Sequence, residues 1–356
     1  MTIDLRIQRP ALMALGAAAL FGASTPLAKL LLDGTAPLVL AGLLYLGSGL
    51  ALAIVFFVGR WFGIAAAFNR ESLLQGRDLR WLAGAILAGG VVAPGLMMWG
   101  LVRLSASTAS LLLNFEGLLT TLIAAIAFRE AISRRIWLAT LVMLCGATVL
   151  AFGGDAATVE PGGMLAILGA CGAWALDNNL TRRISGSSPV VTAMLKGLVA
   201  GSVMLAFALS AGGQLPKAEP LFGALVVGAF GYGASLVLFI YALRHLGSAR
   251  TVAHFSTAPF VGAGVSIALL GEVATVGFLV ACLLMVVATW LALTEQHEHE
   301  HSHESLEHEH LHVHDEHHQH AHPGDEGTEP HSHRHRHEPL THRHPHLPDL
   351  HHRHRH

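Results

Sequence analysis

A few polar and ionisable side chains lie inside long apolar runs of the sequence, where they could bind a substrate or a proton. Glu116 lies near the middle of one run, with Asn114 two residues before it, and Asp177 and Asn178 are adjacent in another. A charge at the centre of a bilayer costs about 2.5–3.5 kcal/mol on insertion scales, so it usually faces a partner or a water-filled cavity. We therefore expect these side chains to line a polar pathway, with Glu116 as its main ionisable group.

Other residues at similar positions extend this predicted pathway. Thr25 precedes a proline in the first apolar run, and His254 lies a turn or so into the ninth. Structural roles stay open for all of them: Glu116 pairs with Lys196 or Lys29 in one alternative, and the asparagines hydrogen-bond between helices in another, as is common in membrane bundles.

Histidines dominate the C-terminal segment. Of 25 histidines, 23 follow residue 295, and they recur as His-x-His. In an extended chain, residues i and i+2 lie on one side, and neutral imidazoles suit Zn, Ni, Cu or Co. A solvated proton buffer with no metal role is the alternative. The predicted metal ligands are His297, His299, His301, His303, His308, His310, His312, His314, His331, His333, His335 and His337.

Composition indicates that the chain has a membrane-embedded part and a polar C-terminal part exposed to water. With 53% hydrophobic and 13% charged residues, the 356-residue chain is too apolar for a soluble protein. Up to Thr294 the formal charge is +6, and from Glu295 onward it is −8. Because the C-terminal segment cannot bury a core, it is predicted to be disordered without a ligand. The three cysteines lie in apolar runs and indicate no disulfide framework.

Hydropathy predicts about ten membrane-spanning helices, because each crossing needs about 20 mostly apolar residues. A linker rich in Gly, Pro and acidic residues at 153–163 divides them into five plus five. The predicted spans are 11–32, 37–59, 81–102, 105–128, 135–152, 162–182, 189–210, 221–243, 249–270 and 274–293.

The loops predict the orientation of these spans. Thirteen Lys and Arg residues fall in one set of loops and only Arg103 and Lys217 in the other. Since positively charged loops stay cytoplasmic, both termini are expected in the cytoplasm. A second group of five spans must then enter the membrane from the opposite side, which predicts an inverted repeat with a substrate site near the midplane.

Two stretches carry the outline of this repeat. Leu104–Glu130 and Leu246–Glu272 each follow an aromatic, small, Leu, x, basic approach and each end on Glu. Small-residue positions, the pairs Phe21-Gly22 and Trp174-Ala175, and the motifs Phe115-Glu116-Gly117 and Ala258-Pro259-Phe260 complete the pattern.

On these motifs, residues 11–293 resemble the EamA family of the drug/metabolite transporter superfamily. The resemblance implies transport of small metabolites, often amino acids and related compounds. The Pro usual after the Glu of the fourth helix is Gly117 here, so a kink at that point is expected to come from glycine. Helix breaks are also expected at Thr25-Pro26 and Ala258-Pro259.

The predicted fold is all-α, a polytopic membrane protein of two inverted five-helix repeats with a disordered tail. Its domains are 11–152, 162–293 and a His-rich cytoplasmic tail at 295–356. No Walker-type loop and no nucleophile constellation occur in the sequence, so gradient-driven transport is expected rather than enzymatic catalysis.

The leading functional prediction is a secondary transporter, in the exporting direction, of small cationic or zwitterionic metabolites, located in a bacterial inner membrane. Efflux of a divalent transition metal through Glu116, Asp177 and His254 is one alternative, and a membrane-tethered metal or pH sensor is another. The expected partners are the bilayer, a small-molecule substrate and divalent metal ions on the tail, with no nucleic acid. No cofactor is expected to be required, and a homodimer is left open.

Overall fold

A computed structural model of the protein describes most of the membrane region and four segments of the tail. The described residues are 5–61, 76–128, 134–152, 160–182, 184, 188–239, 241–242, 251, 254–293, 297–303, 306–312, 331–337 and 340–346. The chain divides into two compact units, Met1–Glu295 and Gln296–His356.

All regular secondary structure among the described residues of the first unit is helical, as predicted. In the first half, the helices are α1 (Leu5–Leu31), α2 (Pro37–Trp61), α3 (Leu79–Arg103), α4 (Ala106–Leu112), α5 (Phe115–Phe128) and α6 (Arg134–Phe152). In the second half they are α7 (Pro161–Arg182), α8 (Pro189–Ser210), α9 (Ala218–Phe239), α10 (Ala258–Leu270) and α11 (Val276–Leu293).

The outer surface of this unit is apolar. Large hydrophobic side chains such as Leu12, Ile54, Phe57, Phe207 and Leu283 are each 63–64% exposed. A soluble protein would bury such residues, whereas a lipid-facing surface favours them. Six of the helices are by themselves long and apolar enough to cross a bilayer. The chain is therefore a multi-pass membrane protein.

The third helix of each half has the same local distortion. A π-helical segment interrupts α3 at Ile86–Val92 and α9 at Gly228–Ala234. The two segments begin and end 142 residues apart, from 86 to 228 and from 92 to 234, which is also the spacing from Leu104 to Leu246 in the sequence pattern. This shared spacing supports the repeat independently of hydropathy.

The fourth span of the first half is broken, but not where the sequence predicts. The turn lies at Leu113–Asn114, between α4 and α5, and Gly117 is already inside α5. The Asn114 side chain donates from Nδ2 to the carbonyl oxygen of Leu111 at 2.8 Å. Because this side-chain bond competes with the helical backbone pattern, the break arises at asparagine rather than at glycine.

The two proline positions behave differently. A turn at Ser256–Thr257 precedes α10, with Pro259 in its first turn, as expected. The expectation of a break at Thr25-Pro26 is wrong, because α1 continues through Pro26. The Ser24 hydroxyl donates to the Phe21 carbonyl oxygen in the preceding turn at 2.6 Å. Proline at position 26 removes the N–H that would bond to the Gly22 carbonyl oxygen, and membrane helices tolerate such a loss.

Close backbone contact joins the second helices of the two halves. A Cβ added at Gly197 of α8 would lie 2.7 Å from the backbone nitrogen of Gly49 in α2. Only glycine permits this distance, and small residues at helix crossings are the usual means of close packing in membranes. The contact holds α2 and α8 together at the junction of the repeats.

The second unit contains four strands, β1 (His297–His303), β2 (Leu306–His312), β3 (His331–His337) and β4 (Leu340–His346). β1 pairs with β4 and β2 with β3, both antiparallel. This differs from the disorder that composition predicts. The strands have no apolar face to bury, and a lone two-stranded sheet is marginally stable in water, so disorder of the ligand-free tail stays a prediction.

Candidate functional site

A buried ion pair joins α7 to α8. The Lys196 ammonium donates to Asp177 Oδ1 and Oδ2 at 2.7 and 2.6 Å, and the Thr181 hydroxyl donates to Oδ1 at 2.9 Å. The Asp177 side chain is 6% exposed and that of Lys196 19%. The two charges compensate each other inside the membrane, which is the usual arrangement for buried ionisable groups. Asp177 is therefore already occupied by a cation.

Glu116 has different partners. It lies in the first turn of α5, and its Oε1 accepts a hydrogen bond from Asn178 Nδ2 at 3.0 Å. The same amide donates to the Thr120 hydroxyl at 3.3 Å. Within the described residues Glu116 forms no salt bridge, so neither Lys196 nor Lys29 neutralises it. The predicted structural pairing with a lysine is not the arrangement that the structure adopts.

The surroundings of Glu116 are open. Glu116 is half-buried and Asn178 is exposed. A Cβ added at Gly117, the next residue, or at Gly172 of α7 would meet no atom within 4 Å. Because hydrocarbon contact with a carboxylate is costly, we expect the half-buried Glu116 carboxylate to contact water rather than lipid.

The π-helical segment of α3 supports the buried pair from the other side. The Ala93 N–H bonds to the Ala88 carbonyl oxygen, and residue 94 is a proline, which has no N–H. The Gly89 carbonyl oxygen therefore lacks its helical partner. It accepts instead from Trp174 Nε1 at 3.0 Å and from the Tyr45 hydroxyl.

The neighbouring Asp177 carboxylate explains why position 89 is a glycine. A Cβ added there would overlap the Asp177 carboxylate. The absence of a side chain lets Asp177 lie against the backbone of α3 while Trp174, one turn earlier on α7, bonds to the same residue. π-helical segments occur often at functional sites, and here the segment positions two side chains of α7.

The second half contains the equivalent contact without the charge. Gly231 of α9, 142 residues after Gly89, faces α1, where an added Cβ would lie 2.6 Å from Ser24 Cβ. The sequence pattern places Ser24 and Asp177 at matching positions of the first helix of each half. Both halves therefore carry a polar side chain at this position of their first helix, but only Asp177 of the second half is charged.

Aromatic rings line the neighbouring space between the halves. Tyr232 contacts Phe21 and Tyr45, with ring centroids 5.9 and 5.5 Å apart. Phe255 contacts Phe21 at 5.5 Å and Phe239 at 4.8 Å. These rings come from α1, α2, α9 and the segment before α10. Together they form an aromatic wall between the two halves.

The other predicted pathway residues are distributed unevenly. Asn114 is buried, and besides its bond to Leu111 its Oδ1 accepts from the Thr289 hydroxyl of α11 at 3.4 Å. Thr25 is buried in α1. His254 is half-buried beside the Ser256–Thr257 turn, where its carbonyl oxygen accepts from the Thr257 backbone and hydroxyl. The structure brings together Glu116, Asp177 and Asn178 from the predicted set.

Polar contacts join several helix ends at one end of the bundle. Lys29 of α1 donates to the carbonyl oxygens of Leu101 and Leu104 at the end of α3. Glu272, just after α10, accepts from the backbone N–H groups of Ala106 and Ser107 at 2.7 and 2.8 Å. Glu272 thus caps the N-terminus of α4 in the other half. Its sequence counterpart Glu130 lies outside the described residues.

Metal ligands do not converge within the described membrane region. Among the residues that the structure describes, no group of three or more His, Cys, Asp or Glu side chains is arranged to hold an ion. Of the predicted tail ligands, His314 lies outside the described residues, and the others occupy strands β1, β2 and β3.

Sequence reasoning missed Gly89, Pro94 and Tyr45. The available signal was a glycine pair, Gly89-Gly90, followed four residues later by Pro94 inside an apolar run. That pattern removes a backbone donor while leaving room beside the freed carbonyl. The side chains that use the carbonyl come from other helices and leave no local trace in the sequence.

Known proteins resemble this chain over both halves. The model of the EamA-like transporter family matches residues 8–152 and again 161–294. An uncharacterized transporter of Methanothermobacter thermautotrophicus is 30% identical over 254 residues, covering 68% of this chain and 74% of that protein. A crystal structure that covers 80% of this chain and 98% of its own matches with a TM-score of 0.57 at 19% identity, a likeness of fold alone. Because the family model matches both halves and nearly all of the membrane region, the chain belongs to the EamA-like transporter family.

Proposed function

We propose that this membrane transporter moves a small cationic or zwitterionic metabolite, driven by an ion gradient, with Glu116 as the group that binds the substrate amine or a coupling proton. The observation that carries the proposal is the difference between two carboxylates on facing helices. Asp177 is neutralised by Lys196, whereas Glu116 has an amide and a free space beside it.

The surroundings favour a substrate with positive charge. A carboxylate without a cationic partner in a low-dielectric site attracts a cation or a proton. Asn178 orients the Glu116 carboxylate by hydrogen bonding, and the aromatic wall around Tyr232 supplies π faces at the same junction of the halves. Together these features suit an amine with an apolar body.

Alternating access follows from the position of the polar contacts. At this end Glu272 of the second half accepts a hydrogen bond from Ala106 of the first half, whereas the Lys29 contact to Leu104 stays within the first half. Breaking and remaking such end contacts allows one half to move against the other around a fixed midplane site. By loop charge, we assign this end to the periplasm of a bacterial inner membrane and both termini to the cytoplasm, with export as the direction.

The test is a screen of amino acids and related amines in proteoliposomes, with and without a pH gradient. The wild-type protein should accumulate at least one such compound only when the gradient is present. Glu116→Gln should insert and fold normally and lose gradient-driven transport. Glu219→Gln, which changes an exposed acid in the first turn of α9, is the matched control and should transport as the wild type does.

Two results would contradict the proposal. Full gradient-driven transport by Glu116→Gln would assign Glu116 a structural role. Accumulation of anions instead of amines would show that the carboxylate does not select the substrate. A reporter active only in the periplasm, fused after Thr294, tests the orientation separately and should give no signal.

Efflux of a transition metal along the membrane pathway receives less support. That alternative needs Glu116, Asp177 and His254 to act as ligands, but Asp177 is occupied by Lys196. No metal-binding group of three such residues is found in the described part of the membrane region.

A further inference from the structure

The register of the tail strands places histidine opposite histidine. In the β1–β4 sheet, His297, His299 and His301 face His346, His344 and His342 in that order. Each of these positions is separated from the next by one residue. Since side chains alternate along a strand, the six positions belong to one face of the sheet.

The second sheet repeats the arrangement. In β2–β3, His308, His310 and His312 lie opposite His335, His333 and His331. The residue numbers of each opposing pair add up to the same value in both sheets. The two pairings are therefore parts of one continuous antiparallel register. The described tail therefore contains six cross-strand histidine pairs, three in each sheet.

Residues between the histidines have complementary charges. Glu307 lies opposite Arg336, Glu309 opposite Arg334, and Glu300 opposite Arg343. Directly opposed unlike charges stabilise a strand pair, by roughly 0.2–1 kcal/mol each. A slip of one residue would place His308 opposite an arginine, so the charged positions and the histidine pairs specify the same register.

The spacing of such pairs suits a tetrahedral ion. Directly opposite residues in an antiparallel sheet have Cα atoms about 4.5–5.5 Å apart, and residues i and i+2 on one strand are roughly 6.5–7 Å apart. Two adjacent cross-strand pairs thus place four histidines at neighbouring positions on one face of the sheet. Zn²⁺ takes four nitrogen ligands in tetrahedral geometry, and imidazole also suits Ni, Co and Cu.

We propose that each tail sheet binds one divalent transition-metal ion between two adjacent cross-strand histidine pairs, so that four imidazoles from two strands hold each ion. Each site takes ligands from two paired strands, β1 with β4 or β2 with β3, whereas an isolated His-x-His chelate would use a single strand. This inference goes beyond the transport proposal and does not depend on the substrate that the membrane region carries.

In this proposal, bound metal ions stabilise the pairing of strands that have no core. Apolar residues in the four strands are few: Leu306, Leu311 and Leu340. Pairing by backbone bonds alone is marginal for two strands. Ligation adds binding free energy to the paired state only, because the unpaired chain cannot offer ligands from both arms.

The experiment uses the full-length protein purified in detergent and titrated with Zn²⁺ at pH 7.5 in a calorimeter. Variant A replaces His308, His310 and His312 by serine, and variant B replaces His331, His333 and His335. Variant AB combines them, and Glu307→Gln with Glu309→Gln is the matched control on the same strand.

The wild type and the control should bind about two ions tightly. Variants A and B should each lose the same single ion, and AB should lose no more than either alone, because both triplets serve one site. X-ray absorption of the Zn²⁺ form should give about four imidazole nitrogens per ion.

Additive losses in A, B and AB, or about two imidazoles per ion, would overturn the proposal in favour of separate chelates on single strands. Unchanged stoichiometry in variant A, or no tight binding by the wild type, would overturn it as well.

Discussion

Removing one member of the buried Asp177–Lys196 pair should destabilise the bundle more than any loss of an exposed ion pair. In Asp177→Asn the Lys196 ammonium, 19% exposed, loses its counterion, and the Thr181 hydroxyl loses a charged acceptor. Breaking a buried pair in this way costs about 3–5 kcal/mol. Since 1.4 kcal/mol is a factor of ten, the unfolding equilibrium should shift by roughly 10² to 10⁴.

The chain provides its own comparison. Arg103 and Glu160 form a pair 3.3 Å apart with side chains 30% and 52% exposed. Exposed pairs contribute about 0–1 kcal/mol, so Glu160→Gln should have little effect. The double variant Asp177→Asn/Lys196→Met removes both buried charges and should recover much of the stability lost in Asp177→Asn.

The assay is reversible unfolding in mixed micelles, with the fraction of denaturing detergent as the variable and helical circular dichroism as the signal. A shift for Asp177→Asn no larger than that for Glu160→Gln would refute the reasoning. A double variant less stable than Asp177→Asn would also refute it, because the isolated ammonium would then not be the cause of the loss.

Three further predictions follow from the same contacts. Gly89→Ala places a Cβ on the α7 carboxylate and should cost about 1–3 kcal/mol in the micelle assay, whereas Gly264→Ala, with no atom within 4 Å, should be neutral. Glu272→Gln keeps one acceptor for the N-terminus of α4 and loses its charge, so it should cost about 1–2 kcal/mol in the same assay, against no measurable change for Glu219→Gln. Tail metal binding should weaken as pH falls, because imidazoles with an ordinary pKa of about 6.5 become protonated and cease to be ligands. Calorimetry should therefore detect about two ions at pH 7.5 and few at pH 5.5, and equal binding at both would exclude imidazole ligands.

The sequence by itself determined the membrane architecture. Hydropathy and length are local properties, so the apolar runs predicted the spans that the helices occupy. The 142-residue spacing between Leu104 and Leu246 also anticipated the spacing of the two π-helical segments. Repeats of this kind are visible in one dimension because each half must satisfy the same bilayer.

Only the tertiary structure decided which polar groups meet. Position along a span predicts the depth of Glu116, Asp177 and Lys196 in the membrane, but not the direction each side chain takes around its helix axis. That direction depends on how α5, α7 and α8 pack. In the packed bundle Lys196 forms an ion pair with Asp177, whereas Glu116 accepts a hydrogen bond from Asn178 and has open space beside it.

The role of Gly89 depends on contacts between helices. A freed carbonyl is stable in a membrane only when another helix supplies a donor. Trp174 and Tyr45 supply donors to Gly89, and they come from helices far away in the sequence. The sequence names the residues that can leave a backbone group free, and the packed bundle determines which side chains satisfy it.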